Sequence, residues 1–108
     1  MRRAAVPPTT AAAWDDPPWS ALAPLEVAEF RPESSAHRPR TRVRLLHTAA
    51  GLHGIFRVED RYVLGRHTRF QAPVCEDSCV ELFLQPKPDG GYFNFEMNCG
   101  GTLHAAYV

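Results

Sequence analysis

The stretch YFNFEMNC, residues 92–99, alternates apolar and polar side chains with a period of two. The apolar positions are Phe93, Phe95, Met97 and Cys99, and the polar positions are Tyr92, Asn94, Glu96 and Asn98. Successive side chains of a β-strand point to opposite faces, so this period is typical of a strand with one buried and one exposed face. The stretch therefore predicts a strand at the edge of a core and sets the fold class for the rest of the chain.

Other runs in residues 41–108 show the same period. TRVRLLH (41–47) and LHGIFRVED (52–60) are separated by a turn signal at Ala50-Gly51, which predicts a β-hairpin. CVELFL (79–84) alternates until Pro86 and the Asp-Gly-Gly of residues 89–91 end it, and TLHAAYV (102–108) closes the chain. Short antiparallel strands between turns predict an all-β, antiparallel β-sandwich of the immunoglobulin-like or jelly-roll type. Because the last run reaches Val108, we expect the sandwich to be incomplete within this chain.

Residues 1–40 differ in composition from the rest. They hold most of the prolines, namely Pro7, Pro8, Pro17, Pro18, Pro24, Pro32 and Pro39. Proline lacks an N–H donor and restricts φ, so this segment predicts an extended arm rather than a helix or a central strand. The arm also carries apolar side chains that favour packing on the body: Trp14, Trp19, Leu22, Leu25, Val27 and Phe30. We therefore expect a Pro-rich arm over 1–40 and a β-sandwich over 41–108.

Charge and length exclude several classes of protein. The 108 residues suffice for one domain. Twelve basic and twelve acidic residues give a formal net charge of zero, which argues against a nucleic-acid partner. No apolar run approaches the roughly 18 residues of a membrane span, and the N-terminus lacks the apolar block of a signal peptide. Three cysteines are too few for a disulfide framework, so the sequence predicts a cytoplasmic protein with no membrane partner.

Two motifs carry a resemblance to a known family. These are D-S-x-V-E-x-F at residues 77–83 and YFNFEMN at 92–98, followed by Gly100-Gly101. In order and spacing they resemble the family 9 carbohydrate-binding modules, and the stand-alone family 9-like proteins in particular, over about residues 14–108. The resemblance implies the N-terminal half of a non-catalytic β-sandwich that binds oligosaccharide or polysaccharide chain ends. Such modules often accompany glycoside hydrolases in polysaccharide breakdown.

Sugar recognition needs an aromatic platform for the ring and planar polar groups for its hydroxyls. The polar side of the 92–98 strand supplies both, and the resemblance adds Glu81 as a hydroxyl acceptor. The family's tryptophan wall, six residues before that glutamate, is replaced here by Cys75. The candidate ligand-binding residues are Glu81, Tyr92, Asn94, Glu96, Asn98 and Arg57. A solvated outer face, with Arg57 paired to Glu59, explains the same pattern without a ligand.

Other chemistries are open but have weaker patterns. Four residues have the approximate spacing of a zinc site, Cys75, Cys79, Cys99 and His104, although the strand pattern favours Cys79 and Cys99 as small buried side chains. A glycosidase would draw its carboxylates from Glu76, Asp77, Glu81 and Glu96. Asp60 and Asp77 could hold a structural calcium, and Met97 with a distant histidine a haem. We expect no cofactor and no catalytic residue. The remaining alternatives are an interaction domain that has lost sugar binding and an exposed strand edge paired with another chain.

Overall fold

The computed structural model describes residues 1–108, and its regular secondary structure consists of β-strands and two short 3₁₀ turns. The strands are β1 (Arg2–Arg3), β2 (Leu25–Val27), β3 (Arg40–Thr48), β4 (Gly51–Glu59), β5 (Cys79–Leu84), β6 (Phe93–Asn98) and β7 (Leu103–Tyr107); the turns are Trp19–Ala21 and Val74–Glu76. They form two open sheets, one of four strands and one of three. The predicted all-β class with two sheets is confirmed. No helix has the length and apolarity needed to cross a bilayer.

The chain divides into two compact units, residues 1–60 and 61–108, with one sheet in each. The boundary therefore lies after Asp60, whereas the proline content places one after residue 40. The difference arises because the proline-rich segment pairs and packs with the β3–β4 hairpin and forms a single unit with it.

The N-terminal sheet is built on the predicted hairpin. β3 and β4 are antiparallel over their whole length, from Arg40 opposite Glu59 to Thr48 opposite Gly51. The turn is formed by residues 49–50, one residue earlier than predicted, because Gly51 already belongs to β4. Gly51 has a φ of 146°, which a residue without a Cβ adopts readily.

Two strands from the proline-rich segment occupy the other edge of β3. β2 pairs antiparallel, with Leu25 opposite Val43, and β1 pairs parallel, with Arg2 opposite Leu46. The antiparallel pairing predicted for residues 41–108 is confirmed, and β1, from the segment predicted as an arm, adds one parallel pair. Residues 2–3 and 25–27 contain no proline, so every residue of β1 and β2 has the N–H group that strand pairing uses.

The N-terminal segment also covers one face of β3. The Arg44 guanidinium lies 4.1 Å from the centroid of the Trp14 ring and donates hydrogen bonds to the carbonyl oxygens of Trp14 (2.8 Å) and Leu22 (2.7 Å). Trp19 and Leu46 are buried in this unit. One arginine thus fastens the segment to the sheet through cation–π and charge-assisted contacts.

The C-terminal sheet has the strand order β5-β6-β7, with every pair antiparallel. Its register places Cys79 opposite Asn98 and Leu84 opposite Phe93, so the alternating positions fall on the two faces that the sequence predicts. One face is apolar and comprises Val80, Leu82, Leu84, Phe93, Phe95, Met97, Leu103, Ala105 and Tyr107. The predicted burial of this face is wrong for its β6 residues, since Phe93, Phe95 and Met97 are 37%, 36% and 42% exposed. The predicted burial of Cys99 is also wrong, because β6 ends at Asn98 and Cys99 lies exposed in the following turn.

The outer edge of β7 is covered by the chain itself. The Gln71 side chain donates to the Ala105 carbonyl (2.8 Å) and accepts from the Ala105 N–H (2.7 Å), as a neighbouring strand would. The Gln71 N–H also donates to the Leu103 carbonyl (2.9 Å). These bonds satisfy backbone groups that would otherwise be free to pair with another chain.

Candidate functional site

The second face of the C-terminal sheet gathers most of the predicted site residues. This polar face comprises Cys79, Glu81 and Phe83 of β5, Asn94, Glu96 and Asn98 of β6, His104 and Ala106 of β7, and Tyr92, which directly precedes β6. Cross-strand register places Glu81 opposite Glu96 and Phe83 opposite Asn94. Four of the predicted residues, Glu81, Tyr92, Asn94 and Glu96, are therefore close neighbours on one surface.

An aromatic pair lies at one end of the polar face. The Phe83 and Tyr92 rings have centroids 5.8 Å apart and are tilted by 53°. Both rings are accessible, with 56% of Phe83 and 37% of Tyr92 exposed. Phe83 is absent from the predicted site, although the period of β5 already places it on the same face as Glu81; the register with β6 then puts it opposite Asn94. The pair gives the polar face an apolar surface on which a ring could stack.

Two carboxylates lie side by side next to the aromatic pair. Glu81 and Glu96 are directly opposite each other on adjacent strands, and Asn94 donates a 2.7 Å hydrogen bond from Nδ2 to Oε1 of Glu96. Partial burial, followed by the nearby charge of Glu96, raises the pKa of Glu81. The face thus offers hydrogen-bond acceptors at its centre, and their like charges are close together.

Cys79 borders the carboxylates at the start of β5. Its Sγ lies 4.0 Å from Oε1 of Glu81. Burial, followed by the charges of Glu81 and Glu96, raises the pKa of the Cys79 thiol to about 11. Since the thiolate is the reactive form, Cys79 is a poor nucleophile near neutral pH.

Asn98 has a structural role at the buried end of the polar face. Only 4% of it is exposed. Its Nδ2 donates to the His67 carbonyl (2.8 Å) and to Oδ2 of Asp77 (3.0 Å), while its Oδ1 accepts from the N–H groups of Gly100 (3.1 Å) and Thr102 (2.9 Å). These four bonds use the hydrogen-bonding capacity of the amide. The prediction that Asn98 contacts a ligand is therefore corrected: its side chain points into the unit and not to the surface.

Asp77 is the charged partner in this network. Its side chain is inaccessible to solvent, and its Oδ2 accepts a 2.9 Å hydrogen bond from the His67 N–H. Burial raises the pKa of the Asp77 carboxyl, but hydrogen bonds from the His67 backbone, the Asn98 side chain and the Arg66 backbone outweigh it and lower the pKa to about 2. Asp77 and Asn98, which both belong to the motifs of the family resemblance, thus hold residues 66–67 in place.

Arg57 is not on the same sheet as the other predicted residues. It lies on β4 in the N-terminal unit, and its Nε is 4.0 Å from Oε1 of Glu59. Glu59 also accepts a 3.3 Å hydrogen bond from Arg42. Of the two roles considered for Arg57, the structure shows the ion pair with Glu59, and we leave it out of the candidate site.

The cysteines and acids do not assemble into a metal site. No group of three or more His, Cys, Asp or Glu side chains is arranged to hold a metal ion, and all three cysteines are free. Among the zinc candidates, Cys75 is exposed in the turn before β5 and Cys99 in the turn after β6. Of the two calcium candidates, Asp60 accepts a hydrogen bond from His37 (2.8 Å) and Asp77 is held by the donors described above.

Comparison with known proteins identifies the family. Residues 20–108 match the sequence model of a family described as Carbohydrate-binding family 9. No curated protein and no solved structure gives a significant match. The match covers most of the chain and includes both strand motifs of the C-terminal sheet. The resemblance predicted from those motifs is confirmed, and the chain belongs to carbohydrate-binding family 9.

Proposed function

We propose that the polar face of β5, β6 and β7 binds a sugar ring of an oligosaccharide or polysaccharide chain end without cleaving it. The observation that carries this proposal is the exposed Phe83–Tyr92 pair beside Glu81, Asn94 and Glu96. The apolar C–H face of a pyranose packs against aromatic rings, while its hydroxyls donate to carboxylates. Membership of a carbohydrate-binding family supports the same ligand class.

The geometry of the aromatic pair compensates for a difference from the family pattern. Where the resemblance places a tryptophan wall, this chain has Cys75, which has no ring. Phe83 and Tyr92 present apolar ring surface on the polar face of the same unit. The proposed platform is therefore the strand-borne pair, with no contribution from the turn that contains Cys75.

The arrangement of the carboxylates favours binding over hydrolysis. A glycosidase places its two carboxyl groups on either side of the scissile bond, one to protonate the leaving group and one to act on the opposite face of the sugar. Glu81 and Glu96 project from the same face of one sheet, so both would approach a ligand from the same side. We propose that this chain supplies affinity in polysaccharide breakdown while a separate hydrolase cleaves the bond.

Titration of glucose, cellobiose and xylobiose, followed by calorimetry and by chemical-shift changes, tests the proposal. We expect binding at millimolar ligand or below, with shifts centred on β5 and β6. Phe83→Ala or Tyr92→Ala should weaken it about tenfold, equivalent to about 1.4 kcal/mol of lost stacking. Phe93→Ala is the matched control, because Phe93 is as exposed as Tyr92 (37%) but lies on the opposite face of the sheet.

Three results would contradict the proposal. Absence of heat and of shifts with all three sugars would favour the second candidate function, a β-domain that has lost sugar binding, for which the thiol at Cys75 is the supporting observation. Equal weakening by Phe93→Ala and Tyr92→Ala would move binding away from the polar face. Release of reducing sugar from a glycan would replace the binding function with an enzymatic one.

A further inference from the structure

The charge of the polar face is one-sided. β5, β6 and β7 together contain two glutamates, Glu81 and Glu96, and neither lysine nor arginine. The two carboxylates are directly opposite each other. Within β6, Glu96 accepts a hydrogen bond from the Asn94 amide, which is neutral. A ligand on the Phe83–Tyr92 pair would therefore lie beside two carboxylates, and no lysine or arginine of the three strands offsets their charge.

The neighbouring ionisable groups are consistent with a negative local potential. The charges of Glu81 and Glu96 contribute to the raised pKa of Cys79, as do Cys75 and Asp77, and the charge of Glu96 contributes to that of Glu81. His104 is the one potential cation on the face. It lies opposite Glu96 on β7, and its Nδ1 is 3.3 Å from the Gln71 carbonyl oxygen.

The charge of these carboxylates makes them selective among sugars. A hydroxyl and an ammonium group both donate charge-assisted hydrogen bonds to a carboxylate, but only the ammonium group also carries the positive charge that attracts both carboxylates and offsets their repulsion. A sugar carboxylate would add a third negative charge within a few ångströms of two others, which is repulsive. The same surface therefore distinguishes sugars by charge even where their rings stack equally well.

We propose that this site prefers sugars with a free amino group, such as hexosamines and partly deacetylated amino-sugar chains, over neutral sugars, and rejects uronic acids. The inference rests on the proposed sugar-binding function of the polar face. It assigns Phe83 and Tyr92 to the ring, and Glu81 and Glu96 to an ammonium substituent.

Parallel titrations of glucosamine, glucose, N-acetylglucosamine and glucuronate at low salt, at a pH that keeps the amine protonated, test the preference. We expect glucosamine to bind about three- to tenfold tighter than glucose, N-acetylglucosamine to lose that advantage, and glucuronate to bind weakest. Added salt should reduce the glucosamine advantage, since charge interactions at an accessible site are screened.

Substitutions assign the preference to the carboxylate pair. Glu81→Gln and Glu96→Gln should each bring the glucosamine affinity towards that of glucose, while Glu33→Gln, the same charge change in an exposed loop of the N-terminal unit, should not. Equal affinities for glucose and glucosamine, or tighter binding of glucuronate, would overturn the inference and leave sugar binding intact. If none of the four sugars binds, the proposed function and the inference both fail.

Discussion

Replacing Asn98 by alanine should cost the protein much of its stability, although the sequence pattern predicts a ligand contact at this position. The substitution removes three hydrogen bonds to neutral backbone groups and one to the Asp77 carboxylate. At about 1 kcal/mol for each neutral bond and about 2 kcal/mol for the charged one, the sum is about 5 kcal/mol. Water can reach the exposed Gly100 N–H and recover part of it. The expected loss is about 4 kcal/mol, against about 5–15 kcal/mol for a typical domain.

Urea denaturation followed by far-ultraviolet circular dichroism measures this loss. Asn94→Ala is the matched control, because Asn94 lies on the same strand and face but makes one hydrogen bond, to Glu96, and should cost less than about 1 kcal/mol. Faster amide hydrogen exchange at Gly100 and Thr102 in the Asn98 variant would locate the damage in the network. Equal and small losses for the two variants would refute the assignment of Asn98 to structure and restore it to the ligand surface.

Three further results follow from the contacts described. Arg44→Met should destabilise the N-terminal unit by about 2 kcal/mol and shift tryptophan fluorescence to the red, because it removes both hydrogen bonds to carbonyl oxygens and the contact with the Trp14 ring. Arg57→Met is the control: it removes only the 4.0 Å ion pair with Glu59 and should change the free energy of unfolding by less than about 0.5 kcal/mol. The pKa of Asp77 is lowered to about 2 in the folded state and lies near 3.9 in an unfolded chain, so the stability that its carboxylate contributes is present above about pH 4 and is lost as the pH falls towards 2. The free energy of unfolding in urea should therefore depend more steeply on pH over this range in the wild type than in Asp77→Asn. The same pH dependence in both proteins would contradict the network. Iodoacetamide at pH 8 should alkylate the exposed Cys75 and Cys99 well before Cys79. The pKa of about 11 leaves Cys79 about a hundredfold less thiolate than a thiol with a pKa of 9 would have. Mass spectrometry that shows Cys79 modified first would contradict the raised pKa of its thiol.

Strand periodicity was sufficient to predict the class of the fold and which residues of β6 share a face, but not which face is buried, because Phe93, Phe95 and Met97 are exposed. Each strand of the C-terminal sheet needs only local alternation to define its faces, and short turns leave antiparallel pairing as the simple connection. The pairing of β1 with β3 was not predictable in this way, because two residues carry no period and their partner lies more than forty positions along the chain. The same reasoning applies to β2, whose three residues are too few to define a period within a proline-rich segment.

The site was predicted less completely than the sheet, for a different physical reason. Alternation assigns a residue to a face but does not say how deeply each position of that face is buried. Asn98 and Glu96 share the polar face, yet only Asn98 is enclosed by the segment that contains His67. Phe83 was overlooked because a phenylalanine in a strand is most often a core residue, and its 56% exposure depends on tertiary structure.

The two family motifs therefore combine two kinds of residue within a few positions. Asp77 and Asn98 are buried and bonded to each other, and they anchor the start of β5 to the end of β6. Glu81 and Glu96 lie opposite each other further along the same strands, between these anchors and the Phe83–Tyr92 pair. Like charges directly opposite each other destabilise a sheet, and the three strands contain neither lysine nor arginine; His104, opposite Glu96, is the one potential cation on the face. A fold that needed these positions only for stability would be served better by neutral side chains. The anchoring network instead holds two repelling carboxylates beside an exposed aromatic pair, and a ligand that donates hydrogen bonds or positive charge would relieve that repulsion.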